Sequence, residues 1–206
     1  MNTQPTDEAE SLLSPGEILA EAMGRSMPLE RYHALLPGVA AALRECDCTT
    51  VDRIAMWLAQ LGHESGGLKF MEEIADGSAY EGRTDLGNTE RGDGPRFKGR
   101  GPIQLTGRNN YAAVSRWAHG RNLVRSPTFF IDQPAQLAGD TFGFFGVVWY
   151  WTVARDLNAF ADDGDLEGAT RAVNGGLHGI KDRRARWNRC RRLGTRLLTI
   201  GEVRST

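Results

Sequence analysis

The sequence predicts a mainly α-helical domain with a small, irregular β element. Apolar side chains recur at helical spacing along most of the 206 residues, but this period is missing from residues 62–107, where eleven of 46 residues are glycine. A chain of this length can bury one sizeable core and is short for two independent ones. We therefore expect a flexible N-terminal tail over residues 1–13, a single domain over residues 14–200 and a C-terminal tail over residues 201–206.

Capping residues locate the first two helices. Ser14, followed by a proline and by Glu17, forms a capping box, which predicts a short helix that runs towards Met23. A second helical pattern of apolar residues extends from about Pro28 to Cys46.

The third helix is expected to start after the capping residue Thr50. Its apolar members, among them Trp57 and Leu61, lie on one stripe of the helix. Because glycines follow, the helix should end between Gly62 and Gly66.

One short strand and four helical segments complete the predicted elements. The strand is expected over residues 101–106, whose sequence is GPIQLT. The helical segments are Tyr111–Trp117, a segment that Asp132-Gln133-Pro134 opens towards Val153, Asp165–Val173 and about Ile180–Leu198.

Composition and charge exclude several classes of protein. With 40% hydrophobic residues, 25% charged residues and a net charge of −1, the chain is neither collagen-like nor extensively disordered, and nucleic-acid electrostatics do not dominate it. The longest uncharged apolar stretch, Phe142–Ala154, is shorter than the roughly 18 residues that span a membrane, so we expect a core helix that buries its aromatic residues. The acidic N-terminus does not resemble a Sec signal peptide. Three cysteines are too few for a disulfide framework, which favours a reducing compartment of synthesis.

Basic residues concentrate near the C-terminus. Seven of the 22 arginines fall between Arg183 and Arg196. This cluster has three interpretations: the solvated face of an amphipathic helix, a codon-bias effect, or a patch that attracts anionic cell-wall polymers and phospholipid. The leucines of the same segment can anchor an ordinary amphipathic helix, which favours the first interpretation.

Glu64 and Glu73 are the candidate catalytic pair. Glu64 stands where the third helix should end, and the negative end of a helix dipole disfavours an ionised carboxylate, which suits a general acid. Glu73 follows nine residues later, past two glycines that let the chain turn, so the two carboxyl groups can face each other across a cleft. Local features by themselves favour a simpler interpretation, in which Glu64 is a solvated residue at a helix end.

Metal and cysteine chemistry are not supported. His63 and Glu64 begin like a zinc-protease motif, but that motif requires a second histidine at position 67, where this chain has Gly67. The four histidines show no paired metal-ligand spacing, and nothing in the sequence brings a cysteine to a histidine. We therefore expect no metal site and three partly buried thiols.

Four motifs together resemble a known family. HESGGLKFMEE, FKGRGPIQLTGRNNY, VNGG and DRRARW follow one another between about residues 54 and 187. In this order and spacing they resemble glycoside hydrolase family 19, which comprises chitinases and the related peptidoglycan-cleaving endolysins of bacteriophages. GRGPIQLT is the most distinctive of the four. The resemblance implies a lysozyme-like, two-lobed domain with a central substrate groove.

The resemblance also implies roles for the matching residues. Glu64 matches the catalytic acid, and Glu73 matches the general base that holds the attacking water. Five positions match cleft-lining or substrate-binding residues: Gln104, Thr106, Asn110, Asn174 and Arg183. The Thr106 hydroxyl would help to orient the attacking water. Arg183 would lie near a carboxylate, and a neighbouring arginine favours the ionised form that a base requires. Members of the family invert the anomeric centre, and this chemistry requires no cofactor.

Two carboxylates remain alternatives to the proposed base. The spacing of the two acids is much shorter than in the plant chitinases, so the assignment of Glu73 depends on the endolysin-like branch of the family. Glu72 and Glu81 are the rivals. Glu81 alternatively forms a structural ion pair with a nearby arginine.

The expected function is that of a phage endolysin, a peptidoglycan hydrolase that cleaves β-1,4 bonds between N-acetylmuramic acid and N-acetylglucosamine. Its partner would be the wall polysaccharide, with no nucleic acid, no stable membrane insertion and a monomeric protein. We expect it in the cytoplasm of the producing cell until it is released onto the wall. The alternatives are a chitinase and a non-catalytic wall-binding module of the same fold.

Overall fold

The computed structural model describes residues 13–204, and this part of the chain is mainly α-helical, as predicted. The predicted N-terminal tail lies outside it, apart from Leu13. The α-helices are α1 (Pro15–Met23), α2 (Leu29–Glu45), α3 (Val51–Glu64), α4 (Asp93–Arg96), α5 (Arg108–Gly120), α6 (Phe129–Asp132), α7 (Phe142–Trp149), α8 (Asn158–Asp162), α9 (Leu166–Asn174), α10 (Ile180–Leu193) and α11 (Leu198–Glu202). Short 3-10 turns occur at Ser78–Tyr80, Thr84–Leu86, Pro134–Ala138 and Gly194–Leu197, and a π-helical turn at Tyr150–Ala154.

The predicted capping residues begin α1 and α3. The Ser14 side chain accepts a hydrogen bond from the Glu17 backbone N–H, and the Glu17 carboxylate accepts one from the Ser14 N–H at 2.8 Å, which completes the capping box. Thr50 accepts from the Arg53 N–H at 3.2 Å. The end of α3 at Glu64 is confirmed as well.

Helix α3 runs through the hydrophobic core. Every residue from Ile54 to Gly62 is buried, as expected of a helix with neighbours on all sides. Trp57 stacks on Phe144 of α7 with ring centroids 6.5 Å apart. The core continues from Ile18 in α1 to Ile200 in α11. Glu64 is therefore the last residue of a rigid, enclosed helix.

The strand predicted at residues 101–106 is wrong. The backbone has isolated bridges between Arg100 and Leu105 and between Glu72 and Arg100. Between the bridged residues the chain makes a tight turn, because Gly101 and Gln104 have φ angles of +74° and +54°. These left-handed conformations interrupt an extended strand.

Two predicted helical segments are divided in the structure. The segment expected from residue 132 to Val153 contains a 3-10 turn, then extended backbone at Gly139, then α7 and the π-helical turn. The last helix breaks at Gly194, where φ is +58°, and α11 includes Gly201 and Glu202 of the expected C-terminal tail. The positive φ at Gly194 favours glycine, which lacks a Cβ, whereas the extended backbone at Gly139 is open to any residue.

The tryptophans of the apolar segment follow the sequence prediction, whereas the cysteines, which were expected to be partly buried, are more deeply buried than predicted. Trp149 and Trp151 are buried, and so are the three free thiols. Burial raises the pKa of the Cys190 thiol to about 12. Among residues 13–204, none of the helices is long and apolar enough to cross a membrane.

A buried ion pair supports the glycine-rich segment. The Asp93 side chain is 2% exposed and accepts hydrogen bonds from the Arg108 guanidinium at 2.5 and 2.8 Å. It also accepts from the Glu90 N–H at 3.0 Å. Hydrogen bonding to Arg108 lowers the pKa of Asp93, although burial opposes this effect. The pair therefore ties α4 to the start of α5.

We predict that Asp93→Asn lowers the free energy of unfolding near neutral pH by about 3 kcal/mol, because it leaves the Arg108 charge without its buried partner. The folded-state pKa of Asp93 is lowered, so its contribution is present above the unfolded value of about 4 and is lost as the pH falls through the folded-state value. Urea titrations from pH 7 to pH 3 should show the difference between variant and wild type shrinking on the acid side.

The control for this prediction is Asp85→Asn, which removes another Asp–Arg pair of the same segment. Asp85 and Arg83 are 61% and 51% exposed, so the change should be below about 1 kcal/mol. Equal losses in the two variants would contradict the role assigned to burial.

Candidate active site

Glu64 is held by a buried arginine. The Arg183 Nη2 donates to Glu64 Oε1, and its Nη1 donates to Gln60 Oε1 at 2.5 Å. The Arg183 side chain is 1% exposed and that of Glu64 is 19% exposed. A buried charge requires paired and hydrogen-bonded surroundings, and Gln60 and Glu64 supply them from successive turns of α3.

Gln60 is a site residue that the sequence analysis missed. Its side chain is fully buried, and its amide nitrogen donates to Thr170 Oγ1 of α9 at 3.3 Å. It thereby links α3, α9 and α10 behind Glu64. The available indication was a glutamine within the apolar run from Ile54 to Leu61, one turn before the candidate acid.

A second contact joins the end of α3 to the start of α10. His63 Nδ1 lies 2.8 Å from Asp182 Oδ2, and the Arg186 Nε donates to the same oxygen at 2.7 Å. Burial opposes ionisation of Asp182, but the hydrogen bonds from Arg186 and His63 lower its pKa. The imidazole also fills the space beside Gly179, where a Cβ would lie 2.1 Å from the ring.

Glu73 is held by neutral donors. Its Oε1 accepts from the Tyr80 hydroxyl at 3.0 Å, and its Oε2 accepts from the Gly99 N–H at 3.1 Å. Burial raises the pKa of Tyr80, and donation to the Glu73 carboxylate raises it further. The two donors orient the carboxylate, as a general base that accepts a proton from water requires. The sequence analysis missed Tyr80, which stands in an aperiodic segment.

Gln104 lies beside Glu73, and two further predicted substrate-binding residues, Thr106 and Asn110, follow it along the chain. A Cβ at Gly99 would lie 2.8 Å from Gln104 Oε1 and 3.2 Å from Glu73 Oε2, so these two side chains border the same glycine. The Thr106 hydroxyl donates to the Gln104 carbonyl at 2.9 Å, and the Asn110 amide donates to the Thr106 carbonyl at 2.8 Å. Gln104 thus borders the same glycine as Glu73, and local hydrogen bonds link Thr106 to Gln104 and Asn110 to Thr106.

The other two predicted substrate-binding residues lie with the acid. The Asn174 amide and the Arg183 Nε both donate to the His178 carbonyl, at 3.0 and 3.3 Å. Asn174 Oδ1 also accepts from the Gly176 N–H at 2.9 Å. Asn174 therefore shapes the loop between α9 and α10, and its contact with a sugar stays a prediction.

The sequence analysis placed Arg183 near the general base, whereas the structure places it beside Glu64, the candidate acid. The guanidinium pairs with Glu64, whereas the donors to the Glu73 carboxylate are Tyr80 and Gly99. The difference arises because Arg183 projects from the first turn of α10, which packs against α3.

The two rival carboxylates have structural partners. Glu72 pairs with Arg100 at 3.0 Å and with Lys98 at 3.5 Å. Glu81 accepts from the Gly92 and Gly94 N–H groups at 2.6 and 2.8 Å, and these backbone hydrogen bonds lower its pKa. The predicted ion pair between Glu81 and a nearby arginine is wrong, because backbone N–H groups donate hydrogen bonds to both oxygens of the carboxylate. Glu73 is the carboxylate that borders the same glycine as Gln104.

Similarity to known sequences agrees with the motifs. The profile of glycoside hydrolase family 19, described as chitinase class I, matches residues 37–165. A Haemophilus influenzae protein with a glycosyl hydrolase family 19 domain is 30% identical over 177 residues, which cover 70% of this chain and 82% of that protein. An endochitinase of Arabidopsis thaliana is 31% identical over 182 residues, covering 85% of this chain and 59% of the plant protein. This chain thus spans about three fifths of the plant enzyme.

Solved structures show the same fold. A bacterial family 19 chitinase superposes with a TM-score of 0.64 and 20% identity, covering 86% of this chain and 93% of that one. Chitinase C of Streptomyces griseus gives a TM-score of 0.61 and 19% identity, covering 89% of this chain and 75% of that one. Together with the family profile and the Haemophilus relative, the site geometry leads to one conclusion: this chain belongs to glycoside hydrolase family 19 and is a glycoside hydrolase that acts on a polysaccharide.

Proposed function

We propose that this enzyme is a peptidoglycan hydrolase that cleaves β-1,4 bonds between aminosugars with inversion. The observation that carries the proposal is that two carboxylates of the matched motifs are each held by a separate set of donors. Glu64 is held by the buried Arg183, and Glu73 by Tyr80 and Gly99. Inverting glycosidases use two carboxyl groups, one as acid and one as base, and the family resemblance assigns the acid to Glu64.

Glu64 is the proton donor in this proposal. Arg183 occupies its Oε1, while its Oε2 has no hydrogen-bond partner among the described residues. The protonated Oε2 can therefore donate to the glycosidic oxygen as the bond breaks. The carboxylate that remains after proton transfer is paired with the Arg183 guanidinium, which stabilises the product state of this step.

Glu73 is the base that removes a proton from the attacking water. Both of its oxygens accept hydrogen bonds from fixed donors, which orient the carboxylate. The Thr106 hydroxyl donates its proton to the Gln104 carbonyl, so its oxygen is available to accept a hydrogen bond from that water. Attack on the face opposite to the leaving group inverts the anomeric centre.

Peptidoglycan is the proposed substrate because the three cysteines of this chain are free, whereas the plant-type chitinases of the family are secreted and disulfide-bonded. In this proposal the protein is made in the cytoplasm of a phage-infected cell and acts on the wall after release. It acts as a monomer on the bond between N-acetylmuramic acid and N-acetylglucosamine.

Chitin is the second candidate substrate, because the Arabidopsis relative and the superposed structures are named chitinases. Purified cell wall and colloidal chitin, each digested by the same preparation, test the choice. Mass spectrometry of the released fragments identifies the sugar at the new reducing end, and NMR of the fresh products identifies its anomer. Digestion of chitin alone, or a product that retains the β configuration, would overturn the proposal.

We predict that Glu64→Gln lowers kcat about a thousandfold, because the amide cannot protonate the leaving oxygen. Polymer binding and circular dichroism should stay as in the wild type. The matched control is Glu72→Gln, whose amide oxygen can still accept from Arg100 and which should keep most of the activity. Loss of activity in the control alone would contradict the assignment of the pair, and an active Glu64→Gln would exclude the mechanism.

Tyr80→Phe tests the positioning of Glu73. Removal of a hydroxyl that donates to a carboxylate should lower kcat by about ten- to a hundredfold and leave KM nearly unchanged, because Tyr80 orients the base. Steady-state kinetics on soluble fragments of the polymer measure the two constants. The control Tyr32→Phe removes a buried hydroxyl that contacts Ser26 and the Gly67 carbonyl, and should lower the thermal midpoint with kcat within about twofold. A rise in KM alone for Tyr80→Phe would contradict this role.

A further inference from the structure

The charges of this enzyme are separated along the chain. Residues 180–197 hold eight of the 25 Lys and Arg residues and one of the 26 Asp and Glu residues, so this segment carries a formal charge of +7. Since the whole chain carries −1, the rest of it carries −8. A general preference for arginine would spread basic residues along the chain, and therefore does not explain this separation.

Helix α10 places four of these eight basic residues on its outer side. Arg183, Cys190 and Leu193 are buried against the core. The exposed cations on the opposite side are Lys181, Arg184, Arg191 and Arg192. We call these four residues the basic face. With a rise of 1.5 Å per residue, it extends for about 16 Å along the helix.

The basic face is weakly neutralised within the protein. Arg184 reaches Glu167 at 3.4 Å and Arg191 reaches Asp52 at 3.4 Å, and all four side chains of these pairs are about half exposed. Such exposed pairs contribute little, because solvent and salt screen them. Lys181 and Arg192 have no carboxylate within 4 Å in the described part of the chain.

We propose that the basic face binds the carboxylate-bearing strands of bacterial peptidoglycan outside the catalytic site. The choice of partner rests on the proposed function, because peptidoglycan carries carboxylates on its stem peptides whereas chitin is neutral. Guanidinium groups match carboxylates in geometry as well as in charge. Arg183 contacts Glu64 from the inner side of the same helix, so the wall contact lies on the side of α10 that faces away from the acid.

The test uses the double variant Lys181→Gln, Arg192→Gln, which removes the two cations without carboxylate partners. A matched control, Arg116→Gln, Arg125→Gln, removes two exposed arginines that also lack a carboxylate partner within 4 Å among the described residues. All proteins carry Glu64→Gln, so that the polymer is not digested during the measurement. Binding is measured by co-sedimentation with purified peptidoglycan sacculi and with chitin powder, at low salt and at about 0.3 M NaCl.

We expect the basic-face variant to bind sacculi about tenfold more weakly at low salt, and the control variant to bind within about twofold of the parent. The parent should lose affinity for sacculi at the higher salt concentration and keep its affinity for chitin. Circular dichroism and thermal midpoints confirm that both variants are folded.

Three results would overturn the inference: equal binding by the two double variants, wall binding by the parent that does not change with salt, or tighter binding of the parent to duplex DNA than to sacculi in the same buffer. A separate digestion assay tests the proposed function. If that function is wrong, the enzyme with Glu64 intact leaves sacculi undigested, whatever the salt dependence of binding.

Discussion

The buried guanidinium of Arg183 is the interaction on which the candidate site depends. A charge that is 1% exposed must be surrounded by acceptors, and they come from Gln60 and Glu64 of α3 and from the His178 carbonyl. These contacts fix the end of α3, the loop before α10 and the first turn of α10 relative to one another. The proposed acid therefore owes its position to the packing of two helices that are more than a hundred residues apart in sequence.

The proposed base is built from a different kind of structure. Glu73 belongs to a loop, and its carboxylate is oriented by Tyr80 and by the backbone of Gly99. A Cβ at position 99 would lie 2.8 Å from Gln104 Oε1 and 3.2 Å from Glu73 Oε2, so a larger residue there would displace these two side chains. One carboxylate is thus held by a charge within the helical core and the other by neutral groups in the glycine-rich segment.

Helix α10 combines two uses of arginine. On its inner side Arg183 is desolvated and fully hydrogen-bonded, so it acts as part of the architecture. On its outer side the charges remain hydrated, where they add little to the stability of the fold and are available to a partner. A count of charges along the sequence cannot distinguish the buried Arg183 from the exposed cations, because helical periodicity alone does not say which side of α10 packs against α3.

The sequence by itself determined the helical class, the capped starts of α1 and α3, the end of α3 at Glu64 and the order of the motifs that identify the family. These features depend on neighbouring residues and on hydrogen bonds within a few positions, which local physical chemistry specifies. Only the tertiary structure decided that Arg183, itself held by Gln60, pairs with Glu64 and that Tyr80 donates to Glu73. It also decided that residues 101–104 form a turn instead of a strand. The reason is that these arrangements depend on contacts between distant segments and on left-handed backbone conformations, neither of which has a periodic signature in the sequence.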